Sequence, residues 1–184
     1  MAVRRPRPPL TVASLNELAL TYVGRFATTR AKLARYLRTK LRERGWDGAG
    51  EPPIDDIVER CANNGFIDDA AYALSKARSL TGRGYGTGRV RQSLRAAGIT
   101  DDDARPARML ADEEAVEAAL RLARRKRIGP FAVTVMDRPT REKALAAMVR
   151  AGHSFALARA IVALEAGVEP NLEQLRQSAG QIID

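Results

Sequence analysis

Cysteine, histidine and aromatic side chains are scarce in this 184-residue chain, which has one Cys, one His, one Trp and an aromatic content of 5%. A single cysteine, Cys61, excludes an internal disulfide and fits a reducing cytoplasm. With His153 as the only histidine, there is no histidine cluster to hold a metal or share acid–base work. Few aromatics, with Ala, Leu and Arg dominant, argue against a β-sandwich and for helices that pack through small and medium side chains. No apolar run approaches the length of a membrane span. The start, MAVRRPRPPL, is basic but lacks the apolar middle of a secretory signal.

What is present is a core's worth of apolar residues, 45%, and an excess of positive charge, +9 with a pI near 10.4. The length allows one or two ordinary domains. Such a charge favours polyanionic partners, nucleic acid first, and without a Trp/Phe-rich basic amphipathic helix a membrane surface is disfavoured.

The hydrophobic spacing predicts helices from end to end. Residues 1–13, with Arg4, Arg5, Arg7 and three prolines, read as a disordered basic arm. Ser14, with Glu17 three residues later, predicts the N-cap of a first helix that ends near Phe26. Thr28 and Thr29 cap a second helix, in which Leu33, Leu37 and Leu41 repeat every four residues up to Gly45. Opposite that stripe lie Lys32, Arg35, Arg38 and Arg42, and Glu43 is the helix's only acid. A charge run is often only a solvated face. Like charges four apart weaken a helix, however, so this set points toward anion binding.

A third helix carries Ile54, Ile57, Val58 and Cys61, and the phase of Cys61 assigns it to packing. Trp46 and Phe66, each following a terminating glycine, are expected to cover the ends of the core. Asp68 and Asp69 open a fourth helix, where carboxylates suit the exposed N–H groups and the helix dipole; capping outweighs a metal or acid–base role.

Between Lys76 and Arg95 the chain has Lys76, Arg78, Arg83, Arg89, Arg91 and Arg95 and no acid at all. This is the strongest local signal of function. Its centre, TGRGYGTGR, is not a dinucleotide fingerprint, because a helix and not a strand precedes it, and it has no Gly-Lys-Ser/Thr. Glycines do let backbone amides approach a phosphate or a partner chain closely, and with Arg83, Tyr85 and Arg89 beside them this turn is a candidate contact for a nucleic-acid backbone.

The fifth helix runs from Thr87 or Gly88 to Ala97. A sixth is capped at Thr100 to Asp103, and a seventh, capped by Asp112, ends in Arg121, Arg124, Arg125, Lys126 and Arg127. Cations there also suit the helix dipole. The segment IGPFAVTVMDRPT reads as loop. An eighth helix starts at Pro139 or Thr140 and ends at Gly152, and a ninth contains Phe155, Ile161 and Leu164. From Gly167 the tail is polar, with at most a helical turn before QIID.

The terminating glycines reveal a repeat. Leu37-x3-Leu41-x3-Gly45-Trp46 matches Val90-x3-Leu94-x3-Gly98-Ile99 and, more weakly, Ala144-x3-Met148-x3-Gly152-His153, with glycines 53 and 54 residues apart. Such periods indicate stacked supersecondary units, each too small to stand alone. His153, in the slot of Trp46 and Ile99, reads as a packed or half-exposed ring.

GFIDDxxYA (65–73), RGYG (83–86) and VRQSLRAAGI (90–99) together resemble the central repeat of the RecX regulatory proteins, and RKRIGPF (125–131) with EKALAAMVRAGH (142–153) is similar to the third repeat of some of them. The likeness spans residues 14–166. The loop DGAGEPP is longer than in many members, and the arm and tail lie outside the pattern.

The resemblance implies an all-α chain of three tandem three-helix, helix-turn-helix-like repeats, 14–66, 67–111 and 112–166, in an elongated, curved body with a polar tail at 167–184. It implies a cytoplasmic, monomeric, non-enzymatic protein without cofactor or metal, which binds the RecA nucleoprotein filament and mainly inhibits RecA recombinase and co-protease activity. The candidate contacts with single- or double-stranded DNA and RecA are Lys32, Arg35, Arg38 and Arg42, Lys76, Arg78, Arg83, Tyr85, Arg89, Arg91 and Arg95, and Arg124, Arg125 and Lys126. The alternative is a sequence-specific helix-turn-helix transcriptional regulator, for which basic helices poor in Asn and Gln are ill suited.

Overall fold

A computed structural model describes residues 8–180; Arg4, Arg5 and Arg7, like the final QIID, lie outside them. The described residues form ten α-helices and one 3-10 turn, with no strand beyond an isolated parallel bridge between Leu10 and Trp46. The helices are α1 (Val12–Val23), α2 (Arg30–Arg44), α3 (Ile54–Asn63), α4 (Asp69–Gly82), α5 (Thr87–Ala96), α6 (Asp101–Glu113), α7 (Ala115–Lys126), α8 (Arg138–Arg150), α9 (Phe155–Ala163) and α10 (Leu172–Gly180); the 3-10 turn is Gly129–Phe131. They group into two compact units. Unit 1 comprises the residues up to Tyr72 with Ala97–Thr100, and unit 2 comprises Ala73–Ala96 with the residues from Asp101 on.

In unit 1, Leu15, Leu33, Leu37, Ile57 and Cys61 from α1, α2 and α3 form the core. Burial pushes the Cys61 thiol above its ordinary pKa, in keeping with a packing role. The expectation of a disordered arm through residue 13 is overturned from Leu10 onward. That side chain is fully buried, and its backbone pairs with the end of α2, Leu10 N–H donating to Gly45 O (3.0 Å) and Asp47 N–H to Leu10 O (2.8 Å). Burying one leucine contributes about 1.5–3 kcal/mol, enough to hold a short segment.

The N-cap of α1 is accordingly Thr11 and not Ser14. Thr11 Oγ1 accepts from Ser14 N–H (3.3 Å) while Ser14 Oγ accepts from Thr11 N–H (2.9 Å), a capping box three residues earlier than expected. Trp46 packs against this core as expected, but Phe66 is exposed and Ile67 is buried in its place.

The second aspartate of the pair opening α4 does more than begin its own helix. Asp68 caps α4 by accepting from Ala71 N–H (2.8 Å). Asp69 is buried and accepts from Arg30 N–H (3.1 Å), so it also satisfies an orphan donor at the start of α2. Thr29, which caps α2, donates its hydroxyl to Ala97 O (2.7 Å). Cap contacts made 39 and 68 residues away have no local sequence signature.

In unit 2, α7, α8, α9 and α10 enclose a core that includes Leu122, Met148, Leu157 and Ile161. The tail was expected to hold no more than a turn, yet α10 runs nine residues and inserts Leu175 into that core. One buried leucine in an otherwise polar helix is too sparse a stripe to reveal an amphipathic face. Similarly, α6 continues through Asp112, so α7 begins after Glu114 and not at an Asp112 cap. Gly45, Gly98 and Gly152, the glycines that align the repeat, all have left-handed backbones, with φ of 82°, 70° and 95°.

Candidate nucleic-acid interface

The glycine-rich turn joining α4 to α5 closes against the turn between α8 and α9. Gly86 N–H donates to Ala151 O (3.0 Å) and Gly88 N–H to Gly152 O (2.9 Å). A Cβ on Gly86 would stand 2.4 Å from the Gly152 carbonyl, and one on Gly152 would stand 2.3 Å from Arg89 N. Two backbones therefore meet where any side chain would part them.

His153 completes the joint. It is buried, and its Nε2–H donates to Gly84 O (3.1 Å), while Nδ1 has no partner among the described residues. Burial holds its pKa below the usual histidine value, so the ring is neutral at neutral pH. The amides of Gly84 and Tyr85 are engaged as well, by Thr81 O (2.8 Å) and Leu80 O (3.0 Å). The expectation that these amides approach phosphate is thus overturned: they are committed to the chain's own carbonyls.

The arginines beside the turn are differently placed. Two clusters far apart in sequence meet at the end of α4, where Arg121 Nε donates to Thr81 O (3.2 Å) and Arg125 Nη1 to Arg83 O (2.6 Å). Guanidinium groups so placed satisfy orphan carbonyls and the negative end of the helix dipole. The Arg83 side chain folds onto Ser79, donating to its carbonyl and its hydroxyl, both at 2.9 Å. Arg124 lies over the Phe131 ring at 4.9 Å, and Arg89 donates to Gln92 Oε1 (2.9 Å) and lies 6.0 Å from the half-buried Tyr85 ring. Arg127 closes α7 in a left-handed conformation, φ 55°.

The partners of Arg83, Arg89, Arg124 and Arg125 are carbonyls, a hydroxyl, an amide and a ring, none of which cancels charge. Together with Arg78, Arg95 and Lys126 they form no ion pair among the described residues, and all are exposed. Lys76 is half-buried. Arg91, by contrast, pairs with Asp112 (3.3 Å), and Arg121, which the sequence reading left out of the candidate set, pairs with Glu114 (3.1 Å).

On α2 in unit 1, acids arrive from α3 and from the helix's own Glu43. Arg38 pairs with Asp55 of α3 (3.1 Å), Arg30 with Glu59 (3.4 Å), and Lys40 with Glu43 (2.6 Å). Lys32 hydrogen-bonds the Tyr72 hydroxyl and lies 4.4 Å from its ring centroid. Arg42 donates to Thr39 (3.1 Å), and Arg35 is exposed with its own partners.

No group of three or more His, Cys, Asp or Glu that could hold a metal ion occurs among the described residues. No helix among them is long and apolar enough to cross a membrane. A cavity of about 830 Å³ in unit 2 has rim charges of both signs, with Arg91 paired to Asp112 and Arg176 to Glu117.

The family model described as "RecX, second three-helix domain" matches residues 68–107, the span of α4, α5 and the start of α6. The regulatory protein RecX of Myxococcus xanthus is 34% identical over 171 residues, covering 86% of this chain and 90% of that one. The chain belongs to the RecX family.

The RecX of Haemophilus influenzae is 29% identical over 113 residues, 61% of this chain and 72% of its own. Two solved structures share the fold. RecX from Lactobacillus salivarius has a TM-score of 0.65 at 23% identity, over 82% of this chain and 94% of that one. A second crystal structure of a regulatory protein RecX has a TM-score of 0.59 at 24% identity, over 82% and 72%. RecX membership places the chain among regulatory proteins of all-helical, three-helix-repeat architecture.

Proposed function

We propose that this RecX-family chain modulates the RecA–DNA filament, mainly as an inhibitor of recombinase and co-protease activity. On this reading it acts in the cytoplasm as a monomer of three helical repeats (14–66, 67–111 and 112–166), without catalysis. The observation that carries the reading is the exposed set of cations at the ends of α4 and α7, ordered by partners that leave their charge intact. Guanidinium groups in this state retain N–H donors for phosphate oxygens. A grip of this kind is poor in base specificity and strong in salt dependence, because neutralised phosphates release counterions. The cations of α2 add contacts to DNA or to RecA.

RecA ATPase on single-stranded DNA, measured with and without the chain over a salt series, tests this. The chain is expected to depress turnover most at low salt, and Arg83→Glu with Arg125→Glu to abolish the effect while helix content is retained. Turnover unaffected by the wild-type chain, or equally depressed by the variant, contradicts the reading.

A further inference from the structure

Unit 1 carries an aromatic ladder that its core does not require. The rings of Tyr22 and Tyr36 stack at 4.3 Å with planes 21° apart, and Phe26 joins Tyr22 at 5.3 Å, tilted by 50°. Tyr22 and Tyr36 pack against the core and account for themselves as structure. Phe26 does not pack there and remains 57% exposed. Its backbone N–H donates to Tyr22 O (3.0 Å) as α1 ends, which holds its main chain, and its ring neighbours that of Tyr22. Arg25, next to Phe26, is exposed, whereas Lys40, whose Nζ lies 5.7 Å from the Tyr36 ring, is half-buried and paired with Glu43. The exposed Leu20 and Phe66 line a separate concavity of about 370 Å³ with α3 residues, to which Phe26 does not contribute.

We infer that Phe26 is a stacking platform for an unpaired base of single-stranded nucleic acid, with the exposed Arg25 beside it for the adjoining phosphate. A positioned π face beside cations is the combination by which proteins hold single strands without reading sequence. A duplex keeps its bases stacked inside and cannot offer one to the ring. An aliphatic docking surface for a protein would not need a ring, and the neighbouring positive charge is complementary to phosphate. The inference rests on the chain's binding nucleic acid at all, and it adds the form of nucleic acid that unit 1 selects.

Fluorescence anisotropy of the full chain with three labelled ligands tests it: an oligothymidylate, an abasic strand of equal length, and a duplex. Phe26→Leu keeps an apolar side chain but removes the π face. It is expected to weaken oligothymidylate binding by roughly tenfold, within the range of one lost stacking contact, and to leave the other two ligands within about twofold. Phe26→Trp is expected to bind the oligothymidylate at least as tightly as wild type. If Phe26→Leu leaves oligothymidylate binding unchanged, or weakens all three ligands alike, the platform is excluded. If it alters inhibition of RecA with no change in DNA binding, the ring serves a protein partner and the inference falls. A chain that binds none of the three overturns the phosphate grip as well. Normal abasic and duplex binding with an indifferent Phe26 overturns the platform alone.

Discussion

On α2, Arg30 reaches Glu59, Arg38 reaches Asp55 and Lys40 reaches Glu43, whereas at the ends of α4 and α7 Arg83, Arg124 and Arg125 reach only carbonyls, a hydroxyl and a ring. In sequence the two regions look alike, each a helix dense in arginine with scarcely an acid. The difference arises in space. α3 packs beside α2 and brings Asp55 and Glu59 with it, while the neighbours of the α4–α5 turn include a second arginine-rich helix end. Acid scarcity within one helix therefore says little about its charge in the fold. It becomes informative when the packing neighbour is also short of acids. The pairs on α2 are partly or fully exposed and each adds at most about 1 kcal/mol to stability, so their main consequence is electrostatic.

The joint that sets the unit 2 turn offers the largest effect. Gly86→Val would drive a side chain into the Gly152 backbone and is expected to cost on the order of 3 kcal/mol in urea unfolding. Gly50→Val in unit 1, where φ is positive (72°) but the space is open, should cost only about 1–2 kcal/mol for the backbone strain. Equal losses would mean that the turn-on-turn contact is not what holds unit 2 together.

A smaller, pH-dependent effect belongs to His153. Its folded pKa lies below the ordinary 6.5 because burial disfavours the charged ring. The unfolded chain thus binds the proton first, and the stabilisation, complete above pH 6.5, is lost as pH falls from there toward the folded value. His153→Gln should flatten that part of the stability–pH profile, while an unchanged slope would place the titration elsewhere.

Much of this fold was legible. The apolar stripes of α2, α3 and α5, the glycine stops and the repeat they mark are local features, and local features survive folding. What escaped was contact at a distance. Leu10 looked like part of a proline-rich arm because one leucine makes no stripe, and α10 was hidden for the same reason. The second role of Asp69 and the clasp of Arg125 on Arg83 O depend on residues 39 and 42 positions away. At the turn, three alternating glycines signalled close approach correctly, but spacing cannot say whether the approaching group is a phosphate or the chain's own backbone. The structure supplies Gly152.

Salt dependence of DNA affinity tests the central contrast most directly. Arg83→Ala with Arg125→Ala is expected to reduce the slope of log affinity against log salt by roughly 2, as two lost phosphate contacts require, and Arg38→Ala with Lys40→Ala, both paired with acids, by less than about 1. Equal reductions, or a larger one for the α2 pair, would contradict the account.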